Sequence, residues 1–180
     1  AVLIASLGWG VAIAAPWQAI GPFGDNMLAV YMSPHVPTVA IATSVRSAYF
    51  SSDAGETWIK TLDFEGGGGR RPTDNVIFDP VSPERVYLVD YFARLYRSDD
   101  RGRTWTFIRR WIGDNEYLDE LTAFAIDPDD TDRLFAYVTY YGVPDWDSYR
   151  YESSDGGETW AATDLVRRCE YGESGVRAVA

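Results

Sequence analysis

Apolar residues in this chain come in short runs, each cut off by a turn signal, and the runs recur in sets of four. The first member of each set is Met27-Leu28-Ala29-Val30-Tyr31-Met32, Val76-Ile77-Phe78 or Leu121-Thr122-Ala123-Phe124-Ala125-Ile126. Each stops at a Ser-Pro or Asp-Pro pair, at Ser33-Pro34, Asp79-Pro80 and Asp127-Pro128. Proline removes a ladder donor and fixes the backbone, so each run predicts a strand followed by a turn. Their near-continuous apolarity predicts burial on both faces. Second strands are predicted over residues 38–43, 85–90 and 133–139. Third strands are predicted over 48–51, 95–98 and 149–153, and fourth strands over 58–62, 105–108 and 160–163. Four short antiparallel strands in a unit of about 45 residues describe one blade of a β-propeller.

Between the third and fourth strand of every set stands the same phrase. It reads Ser51-Ser52-Asp53-Ala54-Gly55-Glu56-Thr57-Trp58, then Ser98-Asp99-Asp100-Arg101-Gly102-Arg103-Thr104-Trp105, then Ser153-Ser154-Asp155-Gly156-Gly157-Glu158-Thr159-Trp160. The shared pattern is Ser-x-Asp-x-Gly-x-Thr-Trp, at a spacing of roughly 50 residues. Each fixed residue has a folding role. Asp accepts hydrogen bonds from backbone N–H groups of a tight loop. Gly supplies a positive φ. Ser and Thr hydroxyls tie the loop ends together. Trp opens the next strand and carries a large apolar area into the space between blades. Asp53, Asp100 and Asp155 are therefore read as structural, together with Ser51, Gly55, Thr57, Trp58, Ser98, Gly102, Thr104, Trp105, Ser153, Gly157, Thr159 and Trp160.

The phrase resembles the Asp-box, or bacterial neuraminidase repeat, and with its four-strand context the resemblance covers roughly residues 17 to 180. It implies an all-β propeller fold, shared by sialidases, xyloglucan-cleaving endoglucanases, sortilin-type receptor domains and photosystem II assembly propellers. It further implies that the Asp-box turns lie on the face opposite the ligand site. The expected organisation is a signal-peptide remnant over 1–15, a ring-closing outer strand and linker over 16–26, blades over 27–62, 74–108 and 120–163, and the start of a fourth blade over 175–180. Pro16-Trp17-Gln18-Ala19-Ile20 matches a fourth strand without its own blade, and Gly175-Val176-Arg177-Ala178-Val179-Ala180 matches the opening of another first strand. Three blades fall short of the usual ring of about four to eight. The expectation is a fragment of a larger ring, completed by the rest of its own propeller or by an assembly, and not stable alone.

Composition sharpens this in few places. A formal charge of −11 and the lack of any basic run argue against nucleic acid as a partner. One Cys and one His leave no internal disulfide and no Cys/His metal cluster, so neither a metal nor a cofactor is expected. His35 reads as a solvated turn residue and Cys169 as an ordinary thiol. The uncharged stretch over residues 1–15 is too short to span a bilayer comfortably and resembles the apolar part of a secretory signal, with Ala12-Ile13-Ala14 as the cleavage site. The alternative is a buried first strand. Its missing start codon and basic region fit a chain beginning inside a longer reading frame. Export would place the protein in the periplasm or outside the cell.

Ligand contacts are expected where the second strand meets the third and where one blade leads to the next. The interblade loop that holds Glu65-Gly66-Gly67-Gly68-Gly69-Arg70-Arg71 reads as a flexible linker. The third unit is longer between its second and third strands, at Tyr140-Tyr141-Gly142-Val143-Pro144-Asp145-Trp146-Asp147-Ser148-Tyr149. Aromatic faces flanked by carboxylates suit sugar rings. Tyr141, Asp145, Trp146, Asp147 and Tyr149, with Trp111, Glu116 and Tyr117 of the neighbouring interblade loop, are the candidate contacts for a glycan or protein ligand. A loop packed on its own aromatics is the alternative.

Two activities implied by the resemblance can be tested by position. Sialidases carry an arginine ahead of their first Asp-box, in an Arg-Ile-Pro phrase, but here no Arg or Lys precedes Arg46. Xyloglucan-cleaving endoglucanases carry a catalytic Asp just after the second strand of the first blade. The matching stretch is Ala42-Thr43-Ser44-Val45-Arg46-Ser47-Ala48-Tyr49, with Ser or Val at the Asp position. Neither side chain can serve as a general acid or base. No catalytic residue is assigned. The expected function is an exported, non-catalytic binding or scaffold module. The alternative is part of a secreted glycoside hydrolase.

Overall fold

The structure, a computed structural model, describes residues 21–22, 26–64, 75–90, 93–111, 120–141 and 146–169. The expected signal remnant, ring-closing strand, glycine-rich loop and fourth-blade start lie outside these residues, as do Glu116, Tyr117 and Asp145. Among the described residues, twelve strands form three antiparallel sheets, each ordered as the chain runs. Blade 1 is β1 (Met27–Met32), β2 (Ala40–Ser44), β3 (Ser47–Ser51) and β4 (Ile59–Asp63). Blade 2 is β5 (Asn75–Phe78), β6 (Val86–Val89), β7 (Arg94–Ser98) and β8 (Thr106–Arg110). Blade 3 is β9 (Glu120–Ile126), β10 (Leu134–Tyr141), β11 (Trp146–Ser153) and β12 (Ala161–Cys169). The fold is all-β, and the described residues make three propeller-type blades. Among the described residues no helix is long and apolar enough to cross a membrane.

Strand alternation explains how the blades meet. Tyr31, Ile41, Ala48, Leu62 and Phe64 of blade 1 pack against Val76, Phe78, Val86, Leu88, Tyr96 and Trp105 of blade 2. The opposite face of blade 2, with Tyr87, Val89, Leu95, Ile108 and Trp111, packs against Leu121, Phe124, Leu134, Ala136, Val138, Tyr151 and Trp160 of blade 3. Successive side chains of β6 thus serve two different seams, which is why its four residues are all apolar and all buried.

Polar bonds pin the same seams. Trp105 Nε1–H donates to Thr61 Oγ1 of blade 1 at 3.1 Å. His35, although exposed, donates from Nε2 to the Asp79 carbonyl of blade 2 at 2.8 Å, so it is more than a solvated turn residue. Tyr87 donates its hydroxyl to the Gly156 carbonyl of blade 3 at 3.1 Å, and burial pushes that phenol up to about 12, so it stays a donor. Arg85 meets Asp132 at 2.6 Å across the same seam.

Burial on both faces, expected of the first strands, holds instead for β2 and β6; β10 alternates buried and half-buried residues, and β1 and β9 each carry exposed positions. In β1, Val30 is 56% exposed and Met32 49% exposed. Register places them where blade 2 has Val76 and Phe78, the residues that face the preceding blade. The apolar pattern of β1 is that of a strand made to be covered, and no described blade precedes it.

Candidate ligand face at the loop ends of the blades

Each blade has two unlike ends. At one end the three Asp-box turns are built alike. Ser51 Oγ–H donates to Asp53 Oδ1 at 2.7 Å, as do Ser98 to Asp100 and Ser153 to Asp155. Gly55, Gly102 and Gly157 donate their N–H to the same serine oxygens at 2.8, 2.7 and 2.9 Å. Thr57, Thr104 and Thr159 close the loop by donating both N–H and Oγ1–H to the carboxylate. The glycines sit at φ +92, +97 and +96, and the preceding residues Ala54, Arg101 and Gly156 are left-handed as well. The Thr57 hydroxyl, with the Thr57 N–H and Ser51, holds the Asp53 carboxyl at about 2. Thr159 and Ser153 hold Asp155 at about 2 in the same way. For Asp100, burial opposes the shift, but Thr104 and Ser98 still keep it below the ordinary value. These carboxylates are consumed by their own turns and leave no poised base.

The opposite end is made of the β2–β3, β6–β7 and β10–β11 hairpins together with the ends of β4, β8 and β12, and here the blades differ. In blade 1, the buried Ser44 folds the turn onto itself. Its Oγ accepts from the N–H of Ser47 at 2.8 Å and of Arg46 at 3.2 Å. The endoglucanase pattern would place Asp at this position or at Val45. The equivalent register in blade 2 does hold a carboxylate, Asp90, which the sequence reading passed over. Its signal was present, because Val89-Asp90 occupies the register of Thr43-Ser44. Asp90 is 2% exposed and accepts from Arg94 Nε at 2.6 Å and from Arg94 N–H at 3.1 Å. So engaged, it fixes the orientation of Arg94.

Blade 3 departs from expectation. The described extra residues, Tyr140, Tyr141 and Trp146–Tyr149, lengthen both strands into a hairpin in which Val138 pairs Tyr149, Tyr140 pairs Asp147 and Tyr141 pairs Trp146. Alternating Tyr and Thr suit a pleated ribbon, and cross-strand pairs stabilise it. Tyr140 and Tyr149 meet edge to face at 5.8 Å, and the Tyr140 and Tyr151 hydroxyls lie 2.8 Å apart. Thr139 and Ser148 hydroxyls lie 2.9 Å apart. The fourth strand follows the longer hairpin and runs on to Cys169, well past the expected end at Thr163.

Trp111 also lies elsewhere than expected. It is 2% exposed, with its ring 5.2 Å from Trp160 and 5.9 Å from Tyr151. An indole at the end of β8 falls into the seam between blades 2 and 3, and there it is core. The Arg109 guanidinium lies 5.4 Å from the Trp111 and Tyr151 ring centroids. The structure thus brings together Tyr140, Tyr149, Tyr151 and Arg109 beside the blade 3 hairpin, with Asp147 on the register of Tyr140 and Trp146 opening β11.

A family model described as Sortilin-Vps10 (sortilin, neurotensin receptor 3) matches residues 46–179. The chain belongs to the Sortilin-Vps10 family. Among curated relatives, a xyloglucanase of Hypocrea jecorina is 33% identical over 128 residues, which are 67% of this chain and 14% of the relative. A xyloglucanase of a Paenibacillus species is 33% identical over 129 residues, which are 62% of this chain and 13% of the relative. The chain therefore spans about a seventh of the curated relatives it matches. The solved Niastella koreensis GH74 enzyme aligns with TM-score 0.54 at 18% identity, over 76% of this chain and 22% of that one. YCF48 from Cyanidioschyzon merolae aligns with TM-score 0.52 at 20% identity, over 82% of this chain and 40% of that one. At these identities the two structures speak for the fold alone, and this chain covers only part of each.

Proposed function

We propose that this Sortilin-Vps10 segment is part of an exported propeller and contributes a binding surface, not catalytic carboxylates, at its loop ends. The single observation behind this reading is the blade 3 hairpin, where the two other blades have short turns. Its tyrosines present ring edges, faces and hydroxyls, a combination that suits the C–H patches and hydroxyls of a sugar. The exposed Val30 and Met32 support a ring continued by further blades on the open side of blade 1. The relatives' name makes xyloglucan the first polysaccharide to try. A glycan array on the whole protein should report binding to xyloglucan oligosaccharides, reduced at least tenfold in Tyr149→Ala and Trp146→Ala. Unchanged binding in both variants would remove the hairpin from the site. Binding of peptides alone would replace the sugar with a protein ligand.

A second reading, part of a glycoside hydrolase, is favoured by the identity to xyloglucanases and by Asp90 at the register of Ser44. Release of reducing ends from xyloglucan by the whole protein, abolished in Asp90→Asn, would establish it. No release, with binding intact, would leave the binding module.

A further inference from the structure

A cavity of about 420 Å³ opens between blades 1 and 2 at the loop ends, lined by Asp63, Arg94, Tyr96, Phe107 and Arg110. Register explains its construction. Arg94 pairs with Arg110 and Tyr96 with Phe107, so all four lie on the face of blade 2 that meets blade 1. Asp63, at the end of β4, closes the cavity from blade 1.

The lining is unusual in two ways. Like charges directly opposite on antiparallel strands repel, yet Arg94 and Arg110 are set opposite each other in a chain of net charge −11. Buried Asp90 anchors Arg94 from behind at 2.6 Å and so fixes the direction of its fork. Phe107 is 54% exposed, although it rests edge to face on buried Tyr96 at 5.7 Å. An open phenyl ring between two guanidiniums offers an apolar platform with cations beside it. Asp63 adds acceptor oxygens. Its Oδ1 already takes Ser47 Oγ–H at 2.9 Å and Lys60 Nζ at 2.8 Å, which hold the carboxylate in place and keep it ionised.

We propose that this cavity binds a carboxylate-bearing sugar ring, a glycuronide. The guanidinium pair takes the carboxylate, which planar forks recognise better than any other side chain. Phe107 takes the C–H face of the ring, and Asp63 accepts a ring hydroxyl. Its volume lies within the range of small-ligand sites, about 300–1,000 Å³. A plain acidic side chain would use the arginines but leave Asp63 and Phe107 without a role. The site is separate from the blade 3 hairpin.

The test is a ligand-observed NMR titration of the whole protein with methyl β-glucuronide and methyl β-glucoside, which differ only at C6. The glucuronide should bind at least tenfold more tightly than the glucoside. Arg110→Gln should abolish that preference, and Phe107→Ala should weaken glucuronide binding at least fivefold. Phe107→Ala alters an exposed ring, so it remains informative if Arg110→Gln does not fold. Equal binding of the two glycosides, or a preference surviving in Arg110→Gln, would overturn the proposal. So would acetate competing as well as the glucuronide, which would mark a bare anion site.

Discussion

The two ends of the blades follow opposite rules. At the Asp-box end, three turns far apart in the chain repeat the same serine-to-aspartate bond at 2.7 Å. At the loop end, the three hairpins are closed by different chemistry. One is closed by Ser44, one by Asp90 with Arg94, and one is drawn out to the Tyr141–Trp146 pair. The repeated end is dictated by backbone geometry, since each residue there satisfies a bond or a φ that no other type satisfies as well. The varied end is released from that demand, and there chemistry can differ from blade to blade.

Substitutions at the repeated glycines would break the comparison most severely, and unequally. A Cβ on Gly102 would stand 2.7 Å from Ile41 Cδ1 of blade 1, at a φ of +97. Gly102→Ala should cost ~3 kcal/mol by combined overpacking and left-handed strain, read from urea unfolding of the whole protein. Gly55→Ala meets only its own Trp58 ring, at 3.3 Å, and should cost about half as much. Equal costs would mean that the seam between blades 1 and 2 is looser than its packing implies.

Next in size is the carboxylate. Asp100→Ala removes the acceptor for Ser98 and for both donors of Thr104, and should cost about 2 kcal/mol in the same assay. Asp90→Asn, at the varied end, should cost a similar amount, because the amide still accepts from the Arg94 N–H but turns an NH2 donor toward Arg94 Nε and breaks a buried ion pair.

Acid should separate the ends more gently. The folded turns hold Asp53 and Asp155 at about 2, against 3.8 without the turn. A lowered folded value means that the stabilisation is complete above about pH 4 and is lost as pH falls toward 2. A pH series of thermal melts, compared with Asp53→Asn, should show the variant's deficit shrinking across that window. A deficit independent of pH would mean that the bonds, not the charge, carry the effect.

The smallest stability effect is expected at the hairpin. Tyr149→Ala removes one edge-to-face partner of Tyr140 and should cost no more than about 1 kcal/mol, while ligand binding falls at least tenfold. A larger stability loss without a binding change would make the hairpin a structural prop.

What was legible in the sequence follows the same division. The Asp-box turns could be read residue by residue, because their bonds run within eight consecutive positions. The four-strand unit followed from the proline stops and apolar runs. Trp111 could not be placed, since an indole beside Arg109 and Arg110 looks the same whether it faces solvent or enters a seam; only the packing of blade 3 decides. The hairpin of blade 3 was hidden because two strands of a ribbon are told from a loop by their cross-strand register, which no local pattern carries. The cavity at Arg94 and Arg110 was equally hidden. Asp63 reaches it from another blade, and Phe107 only from the fourth strand.

Hydrogen–deuterium exchange of the whole protein, with and without a saturating xyloglucan oligosaccharide, tests the division of labour most directly. Protection confined to the tips of β10 and β11 and the end of β8, with exchange at all three Asp-box turns unchanged, is the predicted result. Protection at the Asp-box turns, with none at the hairpin, would contradict it and put the ligand at the end read here as scaffold.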